Sequence, residues 1–183
     1  MSEETIVRNC SPTLAGLKTA NLFSCKFESE PELRDSLRKW NRTLSCKGIR
    51  LIPLRRSHNR ALVYVYRPGK LARDLNTPET QRILASCDYC NTSVQGALTE
   101  LIRRLRTQNE FPHEIGLFLG YPAEDVRLFI KNRAENYKFV GCWKVYGDEQ
   151  YARKTFAKFK KCTDVYSRLQ AEGTSILRLT VAT

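Results

Sequence analysis

Residues 111–146, FPHEIGLFLGYPAEDVRLFIKNRAENYKFVGCWKVY, set helix breakers, dense apolar runs and scarce polar residue types side by side, and they constrain the fold more than any other stretch. Pro112 and Pro122 each stand where a helix can begin, because the N–H that proline lacks is unpaired at a first helical position anyway. Glu114 follows the first proline, and Glu124 and Asp125 follow the second, where carboxylates complement the positive end of the helix dipole. Gly120 suits a left-handed helix cap. The spacing predicts a short helix over 113–119, a turn at Gly120-Tyr121 and a second helix over 123–132. Beyond it, Phe139, Gly141, Trp143 and Val145 alternate with Lys138, Val140, Cys142, Lys144 and Tyr146, which is the period of a strand over 138–146. Gly141 inside that strand marks a bulge or a close backbone approach.

Upstream, Ser11-Pro12-Thr13 reads as a capped helix start, giving a helix over 12–18 with Cys10 just ahead of it. A strand over 22–27 and a helix over 31–46 follow, the latter with acids first and bases later. Two strands, 49–54 and 61–67, form a hairpin around the loop 55–60. Between Ser36 and Arg73 stand eleven lysines and arginines and no acid. Residues 70–86 divide into two short helices at Asn76-Thr77-Pro78. Thr92 and Gln95 suit a capping box for a helix ending near Arg106. Asp148 opens a long helix whose Ala152, Phe156, Phe159, Cys162, Tyr166 and Leu169 recur at steps of three and four, a stripe expected to be buried. Residues 174–183 read as a closing strand.

The chain of 183 residues is long enough for one domain with a core. The expected fold is α+β, a single compact domain over 1–183. Its small, mainly antiparallel or mixed sheet would be covered by helices, with a long amphipathic helix near the C-terminus. No apolar run approaches a membrane span, and the opening MSEETIVRNC carries two early acids in place of a secretory leader, so a cytoplasmic protein without membrane association is expected. Seven scattered cysteines with no export signal suggest reduced thiols. Cys87 and Cys90 form one CxxC with no second pair, which falls short of a structural zinc site, so no metal ligands are assigned. No cofactor motif occurs. The net charge of +12 favours anionic partners without naming one.

Four stretches, CSPTLAGLKTANLF at 10–23, NRALVYVYRP at 59–68, FPHEIGLFLGYPAEDV at 111–126 and GCWKVYGDEQYARKTFAKFKKC at 141–162, resemble a bacterial family catalogued as domain of unknown function 3793. The resemblance covers nearly the whole chain. It implies one compact cytoplasmic domain, found mainly in anaerobic bacteria, and brings no activity, cofactor or established site with it.

The residues themselves allow three functional classes. The first is binding of a small anionic or phosphate-bearing ligand where the two proline-led helices expose free N–H groups, with Thr13, Lys18, His113, Tyr121, Trp143 and Lys144 around it. The second is a nucleic-acid-binding module on the basic hairpin, using Arg55, Arg56 and Arg60 for phosphates and Tyr64 and Tyr66 for stacking. The third is a thiol enzyme with Cys10 as nucleophile, activated at a helix N-terminus, and His113 as its base. Each residue also has an ordinary role: Cys10 as a small buried hydrophobe, His113 at a helix start, and the tyrosines in a core.

Overall fold

The computed structural model of the chain describes residues 1–90, 93–108 and 110–182. It is α+β, with a small antiparallel sheet and a long helix near the C-terminus. The chain divides into two compact units, Met1–Lys70 with Phe159–Thr183, and Leu71–Lys158.

In the first unit the strands β1 (Ala20–Lys26), β2 (Arg50–Ser57) and β3 (Arg60–Tyr66) form an antiparallel sheet in the order β1-β3-β2. The register sets Phe23 opposite Val63, Cys25 opposite Ala61 and Leu51 opposite Val65. Strand periodicity puts these residues on one face. There they join Ile6, Val7, Cys10 and Leu14 of α1 (Glu3–Leu14), Leu33, Leu37, Trp40 and Leu44 of α2 (Glu30–Leu44), and Ile176 and Leu179 of α9 (Ile176–Leu179) in one core. The edge strand β2 is closed to further pairing at its middle. Asn41 of α2 bonds both backbone groups of Leu51 (2.9 and 2.8 Å), and Pro53 has no N–H and adjoins a bulge.

The helix expected over 12–18 is instead the end of α1. Ser2 is its cap, accepting from the Thr5 N–H at 3.2 Å, and Glu3 and Glu4 fill the first turn. Ile6, Val7, Cys10 and Leu14 make its buried stripe, so a cap nine residues upstream outweighs the Ser-Pro signal, and Pro12 is carried near the C-terminal end. Arg67, fully buried, donates to the terminal carbonyls of Thr13 and Leu14 at 2.7 Å each, and to Val181 O at 2.8 Å. A cation at the negative end of a helix is favoured there. The closing segment is not a strand: Ile176–Leu179 is a single helical turn, followed by the Val181 N–H bonding Leu14 O at 3.0 Å.

The second unit holds α4 (Pro78–Ser86), α5 (Val94–Thr107), α6 (Ile115–Phe118) and α7 (Ala123–Lys131), with a two-stranded pair, β4 (Phe139–Val140) and β5 (Lys144–Val145). The short helix α3 (Pro68–Leu75) leads into it and α8 (Glu149–Ala171) leads out. The break between α3 and α4 falls at 76–77, as the sequence predicts, with Thr77 capping α4. Thr92 lies outside the described residues, and Ser93 caps α5 by accepting from the Gly96 N–H at 3.2 Å. Asp148 caps the start of α8 through the Tyr151 N–H at 2.9 Å. Along α8 only Ala152 is fully buried, and Phe156 and Phe159, expected in the core, are half-buried.

The single strand expected over 138–146 is folded back on itself. Phe139 pairs with Val145 and Val140 with Lys144, so residues 141–143 form the bend. Gly141 is the cause. A Cβ placed there would lie 2.2 Å from two atoms of the Phe156 ring, so only glycine lets that ring cover the bend. This is the close backbone approach that the sequence suggests.

Candidate functional site

Between α6, α7 and the β4–β5 bend lies a cavity of about 370 Å³. The rings of Phe111, His113, Tyr121, Phe129 and Trp143 line it, with Ile115, Leu119, Val126 and Val140 between them. Gly116 lets α6 approach α7: a Cβ there would meet Val126 Cγ2 at 2.7 Å. Phe111 and Val140 are 44 and 49 % exposed, so the cavity opens to solvent past apolar side chains.

The wall is fixed by Asp125, which is buried in the first turn of α7. One oxygen accepts from the backbone N–H groups of Tyr146 (2.8 Å) and Gly147 (2.7 Å), and the other from Trp143 Nε1 (2.7 Å). The Trp143 indole then stacks on Tyr121, centroids 4.9 Å apart, and meets Phe156 edge-on at 4.4 Å. Burial and the nearby Cys142 push the Tyr121 hydroxyl up to about 12.

The floor is held by a second polar tie. Glu114, buried, accepts from Tyr89 Oη at 3.1 Å and from Arg104 at 3.3 Å. Arg104 also donates to Cys87 O and to Glu100 (2.7 Å), and its guanidinium lies 4.5 Å from the Tyr89 ring. Burial and the Glu114 carboxylate push the Tyr89 hydroxyl up. Glu114 therefore anchors its segment to α5 instead of complementing a helix dipole. The helix after it is a single turn, Ile115–Phe118, with no side-chain cap.

The remaining polar groups gather at the Phe129 end. The His113 ring meets Phe129 edge-on at 5.0 Å. The Lys144 ammonium lies 5.8 Å from the same ring and 4.6 Å from Tyr137, and donates to Ala134 O at 2.8 Å.

Four of the six residues expected around a ligand, His113, Tyr121, Trp143 and Lys144, thus line one cavity. Thr13 and Lys18 are buried in the first unit. Thr13 Oγ1 donates to Asn21 Oδ1 at 2.7 Å, and the Lys18 ammonium lies 5.9 Å from the Phe159 ring. The free N–H groups of α1 are at its Ser2 end, so none stands beside Thr13. Cys10 is buried mid-helix, where desolvation pushes its thiol up, opposite to what a nucleophile at a helix N-terminus requires. Cys87 is half-buried with its thiol pushed up by burial and by Glu114, and Cys90 is exposed. Among the described residues, no three His, Cys, Asp or Glu side chains gather to hold a metal ion.

On the hairpin, Arg55, Arg56 and Arg60 lie on the strands themselves, because the turn narrows to His58-Asn59. Arg56 pairs with Glu30 at 2.9 Å and Arg60 donates to Ser24 Oγ at 3.0 Å. Tyr64 is fully buried and stacked on the half-buried Tyr66 at 4.9 Å, so it has no open face for a base. Among the described residues, no helix is long and apolar enough to cross a membrane.

Sequence logic missed Asp125 and Glu114 as the anchors. Both look like helix-start acids, and their true partners, ten to twenty-five residues away, leave no periodic trace. Gly141 was the one readable sign of the tight bend.

The family described as Protein of unknown function (DUF3793) matches residues 6–180, and the chain belongs to it. No curated protein and no solved structure matches the chain.

Proposed function

We propose that this family member is a binding protein for a small, flat, mainly apolar molecule, seated among the rings of the 111–144 cavity. The observation that carries the reading is the preformed aromatic wall: Trp143 is fixed on three sides, by Asp125, Tyr121 and Phe156, before any ligand arrives. Such fixing removes the ordering cost that a mobile ring would add to binding. The volume of about 370 Å³ lies at the small end of ligand cavities, which are mostly apolar with a few placed polar groups.

The site differs from a phosphate cradle. The start of α7, at Pro122-Ala123, borders a separate groove whose lining includes the carboxylates Asp74 and Glu79, a setting that disfavours an anion. The supported site is therefore the ring-lined cavity and not a helix N-terminus.

The chain has two tryptophans, Trp40 and Trp143, so two indole N–H resonances report on two places. Naphthalene-2-carboxamide, a flat neutral probe, should move the Trp143 resonance saturably and leave that of Trp40 in place. An unmoved Trp143, or equal movement of both, would end the reading.

A further inference from the structure

We infer that the cavity selects ring compounds bearing a single carboxylate, with Lys144 as the counter-charge and His113 as a second donor beside it. The inference rests on the proposed binding role and names the chemistry the site reads.

The hydrogen-bonding capacity of the lining carries the argument. Asp125 is the only carboxylate among the described lining residues, and its two oxygens already accept from three N–H groups. It has little left for a donor on the ligand. Lys144 has three N–H donors and spends one on Ala134 O. The His113 ring contacts Phe129, and its ring nitrogens make no hydrogen bond to any described residue. The His113 ring centroid lies 5.0 Å and the Lys144 ammonium 5.8 Å from the centre of the same Phe129 ring, so both stand beside that ring in the cavity lining. A ligand fits if its rings lie against Trp143 and Phe129 and its acceptor-rich end lies between Lys144 and His113. The described lining residues include no arginine fork, and α7 starts beside another groove, so one carboxylate matches the available donors better than a phosphate.

Lys144 is also held in place. The Ala134 carbonyl and the Tyr137 ring fix the ammonium from two sides, so its side-chain entropy is largely lost before a ligand arrives.

The test compares naphthalene-2-carboxylate with naphthalene-2-carboxamide, isosteres that differ in charge, by calorimetry on the full chain. The acid is expected to bind about tenfold more tightly, as one charge-assisted hydrogen bond supplies. Lys144→Met keeps the apolar stem and removes the charge. It should bring the ratio near one by weakening the acid far more than the carboxamide. Carboxamide binding with no preference for the acid, or a preference that survives Lys144→Met, overturns this inference and leaves the ring-lined cavity standing. Failure of both probes to bind overturns the cavity reading as well. Should Lys144→Met not fold, the wild-type ratio at low and high salt decides. A charge-read ligand loses its advantage as salt rises, because partly exposed pairs are screened; a ratio indifferent to salt overturns the inference.

Discussion

Asp125→Ala separates two accounts of one carboxylate. If Asp125 served only the dipole of α7, its loss would cost about 0.3–1 kcal/mol. The structure instead gives it three donors at 2.7–2.8 Å, two of them backbone N–H groups, in a buried position. Each donor left unpaired in the interior costs about 1–3 kcal/mol, and release of the buried charge offsets part of the total. A loss of roughly 3–5 kcal/mol is expected, the range for breaking one side of a buried charged contact. Asp125→Asn should fall between, since its one carbonyl oxygen can still serve Tyr146 and Gly147 while its amide opposes the indole N–H. Urea unfolding followed through a backbone amide resonance of α7, present in every variant, reads the unit that carries Asp125. Trp143→Phe removes a single donor, so the pair should couple by about 0.5–3 kcal/mol in a double-mutant cycle. A cost below about 1 kcal/mol for Asp125→Ala, with no coupling to Trp143, would refute the anchoring role and leave the dipole account.

Two further outcomes follow from the same geometry. Gly141→Ala forces a Cβ to 2.2 Å from the Phe156 ring and should cost about 1–3 kcal/mol by overpacking, a penalty that vanishes in a Phe156→Ala background; thermal unfolding of the four variants checks it. Hydrogen bonds from Arg103 and then Arg104 hold the Glu100 carboxyl down at about 2, below its ordinary value of 4.5. A depressed acid stabilises the fold above its unfolded value and loses that contribution as pH falls through the folded one. Glu100→Gln should therefore lower stability at neutral pH and flatten the acid-side loss between 4.5 and about 2, as read from urea midpoints across that range.

What was legible in the chain follows from where the signals reside. Local punctuation worked where one residue type dictates the backbone: Thr77-Pro78 starts α4, Pro122 precedes α7, and the hairpin of β2 and β3 follows from alternation. It failed where two local signals competed. Ser11-Pro12 looked like a helix start, but Ser2, Glu3 and Glu4 start that helix earlier, and the buried stripe of Ile6, Val7, Cys10 and Leu14 carries it through the proline. Alternation over 138–146 could not show a reversal, because a two-residue strand and its return carry the same period as one longer strand. The buried Arg67 was also invisible, since an arginine among ten other bases gives no sign that backbone carbonyls from residues 13, 14 and 181 will surround it.

The concentration of polar residues over 111–146 first suggested a site, and the structure separates that concentration into two kinds. Glu114 is consumed by Arg104 and Tyr89, Asp125 by three N–H groups, and Lys138 by the Gly147 carbonyl at 2.8 Å. These ties explain why a short helical turn and a two-stranded pair, each too small to be stable alone, hold a defined shape. They also explain why the cavity wall is rigid. The His113 side chain makes no hydrogen bond to a described residue and Lys144 keeps donors in reserve, and both stand at the cavity. These are the two polar groups that the proposed binding role draws on, at the edge of a cavity whose aromatic wall Asp125 holds.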